Sequence, residues 1–291
     1  MSLTHIRTFR VRYYECDAYG HVTEANYVRY MEEAAFAASA AAGYSMERYA
    51  ALDRGWLVYE TEIEYLGPLY YDDRVEVKTW VQDFRRVRSR RAYELRLAGT
   101  GQLAARAGTD WVYMQLSTRR PVVIEDDLKA AFFPEGPPQS LAARRRFPPS
   151  PPPPAGAFRW QRRVEWRDLD AAGHVNNAVY VDYIQEGWRR MMAAQGWPLE
   201  RLRAEGVTLR ARRQQLEYKV PALLDEDLEI ETWLSEAAAD SVLCHAAIRR
   251  AGDGRLVLRG RTLYVALEPE GQGLAVLPPG LVADLGPLMA G

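Results

Sequence analysis

The chain has 291 residues, room for two ordinary domains, and its 48% hydrophobic, 26% charged and 11% aromatic content is that of a globular protein able to fill a core. A formal net charge of −1 argues against a dedicated nucleic-acid binder, which would carry a basic excess. No apolar run approaches the ~20 residues of a membrane-spanning helix, and the two cysteines, Cys16 and Cys244, have neither a disulfide-framework pattern nor a metal-ligand spacing.

The N-terminus, "MSLTHIRTFRVRYYE", alternates like a strand and lacks the apolar core of a signal peptide, so a cytoplasmic location is expected. The next stretch, "ECDAYGHVTEANYVRY" (15–30), sets Asp17, Gly20 and His21 ahead of helical periodicity. Tyr27, Tyr30, Met31, Ala34, Ala35 and Ala38 follow the i, i+3, i+4, i+7 pattern, predicting a buried helical stripe over 25–42, with Gly43 placed as its C-terminal cap. "SMERYAALDR" predicts a second, short helix. The period then changes to two: Val75, Val77, Thr79 and Val81 fall on one strand face, with Glu76, Lys78 and Gln82 on the other. Tyr93, Leu95 and Leu97, then "ARAGTDWVYMQL", continue the strands.

From 133 to 157 the composition shifts. Nine of the seventeen prolines fall there, with the basic cluster Arg144-Arg145-Arg146, and such a segment reads as an extended spacer. Beyond it the first pattern returns. "RDLDAAGHVNNAVYVDY" (167–183) repeats Asp-x-x-Gly-His-Val as Asp170, Gly173 and His174, and Tyr180, Tyr183, Ile184, Gly187, Trp188 and Met191 form the second helical stripe over 178–195. Setting residue n against n + 153 aligns the halves without a gap for about a hundred residues. Between Val11 and Ala34, eleven of twenty-four positions are identical on that register. The expected organisation is unit 1 over 1–132, a Pro-rich linker over 133–157, and unit 2 over 158–291. Each unit is an α+β arrangement, an antiparallel sheet with one face on a long helix.

A strand, a buried helix and four strands, with Asp-x-x-Gly-His-Val before the helix, resembles the hotdog-fold thioesterases. "YYECDAYGHVTEANYVRYMEEA" and "STRRPVVIEDDL" are similar to the 4-hydroxybenzoyl-CoA thioesterase and acyl-CoA thioester hydrolase branch. "WRDLDAAGHVNNAVYVDYI" resembles the catalytic half of the fatty acyl-ACP thioesterases, themselves tandem hotdogs. The resemblance implies a tandem double hotdog that supplies its own partner unit as an intrachain pseudo-dimer, with further homo-oligomerisation left open.

For the chemistry, the resemblance implies thioester hydrolysis. Asp17 and Asp170, with an ordinary pKa of ~3.9, are ionised at neutral pH and suited to activate water or to attack directly. Gly20 and Gly173 let backbone approach the ligand. The backbone N–H groups near Glu24 and Asn177, at helix N-termini, are expected to receive the oxyanion, and Asn177 matches the "HVNN" of the acyl-ACP branch. His21 and His174 either join the chemistry or orient the loop through a hydrogen bond. The acyl-ACP pattern is incomplete: Tyr19 and Ala172 replace its Asn, and Pro68-Leu69 and Pro221-Ala222 replace its Glu-Cys pair. Acyl-CoA is therefore the expected substrate.

Two Arg-rich loops, "FRRVRSRR" (84–91) and "LRARRQQ" (209–215), offer Arg85, Arg86, Arg88, Arg212 and Arg213 for CoA phosphates or an acidic carrier protein. No cofactor, metal, nucleic-acid or membrane partner is expected. An acyl-ACP thioesterase remains an alternative, as does a non-catalytic acyl-CoA-binding protein. A hotdog hydratase or dehydratase would want an Asp-His pair spaced along a helix.

Overall fold

β1 (Thr4–Arg10) alternates exposed and half-buried side chains, the mark of a strand with one covered face. It leads through a single 3-10 turn, Tyr13–Glu15, to the long helix α1 (Glu24–Ala41). The computed structural model describes residues 2–136, 138, 141, 143–144, 146–269 and 273–290. The chain divides into two compact units, Met1–Arg146 and Phe147–Gly291.

In unit 1, α1 starts one residue earlier than its apolar stripe suggests, and all six stripe residues are buried. Full burial of a large apolar side chain contributes about 1.5–3 kcal/mol, so this face fixes the helix against the sheet. Gly43 ends it at φ +84°, where a Cβ would be strained, and the Tyr44 N–H reaches back to the Ser39 carbonyl at 2.9 Å. The short α2 (Met46–Ala51) is capped by the Ser45 side chain, which accepts the Arg48 N–H at 3.3 Å. The strands β2 (Arg54–Tyr65), β3 (Arg74–Phe84), β4 (Arg88–Leu97) and β5 (Leu103–Gln115) follow, then the two-residue β6 (Arg120–Pro121) and α3 (Asp126–Phe132). The order is β1-β3-β4-β5-β2, with β6 beside β5, and every pairing is antiparallel. Val75, Val77, Thr79 and Val81 are all buried, as their period predicts. Helix α3 was not legible beforehand; its Leu128 and Phe132 close a cluster with Tyr44, Tyr49, Val81 and Tyr113.

Unit 2 repeats the plan. β7 (Phe158–Arg163) leads through the 3-10 turn Trp166–Asp168 to α4 (Asn177–Ala194) and the short α5 (Leu199–Ala204). Then come β8 (Thr208–Tyr218), β9 (Asp227–Ala237), β10 (Ser241–Arg250) and β11 (Leu256–Leu267), in the order β7-β9-β10-β11-β8, again antiparallel. α6 (Pro279–Asp284) is last, its Asp284 accepting the Trp197 indole N–H at 2.9 Å. The α4 stripe is buried throughout, and Gly196 repeats the cap at φ +80°. Pro198 stands at the N-cap of α5.

The Pro-rich segment carries contacts of its own. Arg144, in unit 1, ion-pairs with Asp83 and, at 2.6 Å, with Asp110. In unit 2, Phe147 is buried under the Arg259 guanidinium, and Ser150 lies 3.2 Å from His245 Nδ1. Arg145 lies outside the described residues.

Candidate active site

Each Asp-x-x-Gly-His-Val segment folds as a tight hairpin between a 3-10 turn and a long helix. In unit 1, Cys16 and Val22 face each other as bridge residues. The Asp17 N–H donates to the His21 carbonyl at 2.8 Å, and the Gly20 N–H donates back to the Asp17 carbonyl at 2.9 Å. Gly20 has φ +80°, which explains glycine at that position. Asp17 Oδ1 accepts the N–H of Tyr19 at 2.8 Å and of His21 at 3.2 Å, so one carboxylate oxygen closes the turn. Unit 2 matches it. Leu169 faces Val175, Asp170 N–H meets the His174 carbonyl at 2.9 Å, and Gly173 has φ +78°. Asp170 Oδ1 accepts the Ala172 N–H at 2.9 Å.

The histidines then diverge. His174 Nδ1 faces Asp170 Oδ2 at 3.4 Å, with both side chains about one-fifth exposed. In unit 1, His21 Nδ1 is buried and meets no hydrogen-bond partner. Its ring lies edge-on to Tyr70, centroids 4.9 Å apart, and nearly parallel to Tyr19 at 6.5 Å. The same tripeptide thus presents an Asp-His pair in one unit and an aromatic-packed imidazole in the other.

Both hairpins deliver the chain to a helix N-terminus. Glu24 and Asn177 are the first residues of α1 and α4. Asn176 caps α4 through its side chain, which accepts the Ala178 N–H at 2.9 Å. Thr23, its counterpart, makes no such cap. Instead Asn26 Nδ2 donates to Thr23 Oγ1 at 3.0 Å and to the Glu15 carbonyl at 2.9 Å. The Asn177 carbonyl accepts the Tyr218 hydroxyl at 3.3 Å. The first helical N–H groups and the helix dipole favour negative charge here.

Behind each hairpin sits a buried carboxylate that sequence reasoning passed over. Glu15 accepts the Arg12 N–H at 2.7 Å and the Tyr30 hydroxyl at 2.6 Å, while its carbonyl accepts the Thr23 N–H at 3.0 Å. Asp168 accepts the Glu165 N–H at 2.8 Å, the Tyr183 hydroxyl at 2.8 Å and Arg162 at 3.2 Å, and its carbonyl accepts the Asn176 N–H at 2.9 Å. Burial first, then the neighbouring carboxylate, pushes the Tyr30 hydroxyl far above its ordinary value; burial does the same for Tyr183. Both tyrosines are therefore protonated donors. The available signal was that residues 15 and 168, one Glu and one Asp, occupy the same place in the repeat.

The arginines proposed for phosphates take different settings within their own units. Arg85 pairs with Asp83 at 3.4 Å in the β3–β4 turn, Arg86 is exposed in that turn, and the Arg88 guanidinium stacks 4.1 Å over the Tyr59 ring. Arg212 and Arg213 are not in a loop but inside β8, which pairs with β11 on both sides of a register shift at Arg212. His5 lies in β1, whereas His245, in β10, is buried between Ser235 and Ser150. Among the described residues there is no cluster of three or more His, Cys, Asp or Glu side chains suited to a metal ion, and no helix long and apolar enough to cross a membrane.

The comparisons with known proteins agree with this duplication. A family model, that of the Thioesterase-like superfamily, matches residues 11–132 and again 164–285. The oleoyl-acyl carrier protein thioesterase 1 of Arabidopsis thaliana is 26% identical over 287 residues, covering 90% of this chain and 76% of the relative. The acyl-CoA thioester hydrolase YbgC of Escherichia coli O157:H7 is 32% identical over 127 residues, 44% of this chain and 94% of the relative. The solved 12:0-ACP thioesterase of Umbellularia californica aligns over 91% of this chain and 94% of its own, with a TM-score of 0.71 at 21% identity. That likeness shows the fold, two tandem hotdog units.

Proposed function

The chain belongs to the thioesterase-like superfamily, and from that premise we propose that it hydrolyses acyl-CoA to the free acid and CoA, with Asp170 as the principal carboxylate. The observation that carries this reading is Asp170 Oδ2 facing His174 Nδ1 at 3.4 Å beside the N-terminus of α4. Water attacks the thioester carbonyl carbon while Asp170 takes its proton. The carbonyl oxygen becomes an oxyanion, which the helix N-terminal N–H groups near Asn177 stabilise. The C–S bond then breaks, and the thiolate leaves with the proton Asp170 returns. Losing one such oxyanion donor costs ~10²–10³ in rate. His174 orients the carboxylate, whose other oxygen is held by the Ala172 N–H. Asp17, His21 and Glu24 form a second, weaker site, because Glu24 adds negative charge where the oxyanion would form. Arg85, Arg86, Arg88, Arg212 and Arg213 are candidates for CoA phosphates, each also explicable as a solvated or internally paired charge.

An acyl-ACP substrate is the second reading, favoured by the alignment of nearly the whole chain with an acyl carrier protein thioesterase. Free-thiol release from matched panels of acyl-CoAs and acyl-ACPs decides between them. Acyl-CoA turnover that Asp170→Asn abolishes supports the first reading. Turnover confined to acyl-ACP replaces it with the second, and binding of either without thiol release leaves a non-catalytic binder.

A further inference from the structure

The two hairpins are nearly the same backbone, which makes the different fates of their histidines informative. Asp17 and Asp170 each close the turn with Oδ1, and Gly20 and Gly173 share one left-handed conformation. The segment packed against each hairpin is also fixed alike. The Val22 N–H donates to the Leu69 carbonyl at 2.9 Å, and Val175 to Ala222 at 3.0 Å. One residue on, Asp73 accepts the Tyr70 N–H at 2.7 Å, and Glu226 accepts the Leu223 N–H at 3.1 Å. These anchors are shared, but His21 and Tyr70 also form a backbone bridge that the described His174 and Leu223 do not.

Among the side-chain differences around them, two concern rings that stand by the imidazole. In unit 1 they are Tyr19 and Tyr70; on the n + 153 register unit 2 has Ala172 and Leu223. His21 and Tyr70 oppose each other as bridge residues, so their rings are brought together edge-on. The Tyr19 ring lies 6.5 Å from the imidazole, centroid to centroid, and is inclined to it by only 23°. Ring–ring contact of this kind adds to the area it buries and fixes the ring's rotamer. The outcome in unit 1 is a buried Nδ1 without a partner, a state that is costly and persists only where other contacts offset it. Ala172 and Leu223 offer no ring, and His174 turns Nδ1 toward its aspartate.

We infer that Tyr19 and Tyr70 are positioning residues that hold the His21 imidazole away from the Asp17 carboxylate, uncoupling in unit 1 the Asp-His pair that unit 2 keeps. The clamp explains why one chain carries two identical Gly-His-Val segments in two side-chain states. Its consequence for turnover rests on the proposed role of Asp170 and His174. The clamp itself is a statement about where one imidazole points.

The test reads the two separately in the full chain. Long-range 1H–15N NMR, with signals assigned through His21→Gln and His174→Gln, reports which ring nitrogen of each histidine carries the proton. In the unaltered protein His174 is expected in the Nδ1–H form facing Asp170, and His21 in a different pattern. Tyr19→Ala with Tyr70→Leu is expected to convert the His21 pattern to that of His174. The reciprocal pair, Ala172→Tyr with Leu223→Tyr, is expected to remove the His174 pattern, and it serves if the first pair fails to fold. A His21 pattern unchanged in a folded Tyr19→Ala, Tyr70→Leu protein overturns the clamp, because the backbone bridge alone would then hold the ring. Hydrolysis is measured in the Asp170→Asn background, where freeing His21 is expected to raise the residual rate ~10-fold, a fraction of the ~10²–10⁴ that a positioned acid–base group supplies. A converted spectrum with no gain in rate leaves the clamp standing and removes the histidine from the proposed mechanism.

Discussion

The Tyr183 hydroxyl donates to Asp168 Oδ2 at 2.8 Å, tying the second turn of α4 to the residue just before the Asp170 hairpin. Tyr30 makes the same tie to Glu15 in unit 1 at 2.6 Å. Each is a buried donor on a buried carboxylate, and removing a buried donor leaves its acceptor under-satisfied at about 1–3 kcal/mol. Tyr30→Phe is expected to cost more of that range than Tyr183→Phe, since Asp168 retains Arg162 while Glu15 keeps a looser Arg12 contact at 3.7 Å. Denaturant unfolding of both variants checks the order.

Asn keeps a side-chain oxygen able to accept the turn N–H groups, whereas Ala loses both the turn and the charge. Asp170→Asn is therefore expected to lose most hydrolysis at nearly unchanged melting temperature, and Asp170→Ala to lose both. Asp17→Asn is expected to remove a minor share and the double Asn variant all of it. Steady-state rates beside thermal melts test this; an Asp17→Asn protein as inactive as the double variant would assign the chemistry to unit 1.

A Cβ at Gly20 or Gly173 would meet nothing within 4 Å, so Ala there costs only the left-handed backbone, about 1–2 kcal/mol. Gly187 is the opposite case. Its added Cβ would lie 2.9 Å from Trp160 Nε1 and 3.0 Å from Thr232 Oγ1, so Gly187→Ala must displace these side chains or α4 itself. Overpacking of this kind costs about 1–3 kcal/mol. A Gly187→Ala loss accompanied by weaker hydrolysis, against Gly173→Ala loss without core disturbance, is the expected pattern in unfolding and near-UV circular dichroism.

His245 is held down to about 4, chiefly by burial and then by the Arg261 charge. Its neutral form is thus favoured in the folded state, while the unfolded chain takes up a proton near 6.5. The stability it contributes is fully present above that value and is lost as pH falls through the window from about 6.5 to 4. His245→Gln is expected to flatten the pH dependence of unfolding across that window. An unchanged slope would show another group responsible.

The long elements were readable because burial and period coincide in them. Tyr27 to Ala38 form one helical stripe, Val75 to Val81 one strand face, and the repeat fixes their counterparts. What was not readable depends on contacts between distant positions. Beside Gly-His-Val only Tyr19 against Ala172 marks the two histidines apart; Tyr70, far along the chain, meets His21 only through the folded bridge. Arg212 and Arg213 looked like a basic loop by composition, and only the alternation of Leu209, Ala211 and their partners on β11 marks a strand. Arg144 belongs to the Pro-rich segment, and its carboxylate partners on β3 and β5 lie too far along the chain for composition to reveal them.

Carrying Tyr70 against His21, where the repeat gives the other half Leu223, also has a genetic consequence. In an assembly of identical subunits, one codon writes every copy of a site, so a change that suits one cleft is imposed on all. In this chain the two hairpins are encoded separately. A single substitution can retune one and leave the other untouched, so the halves are free to drift toward different acyl groups or different rates while sharing one scaffold.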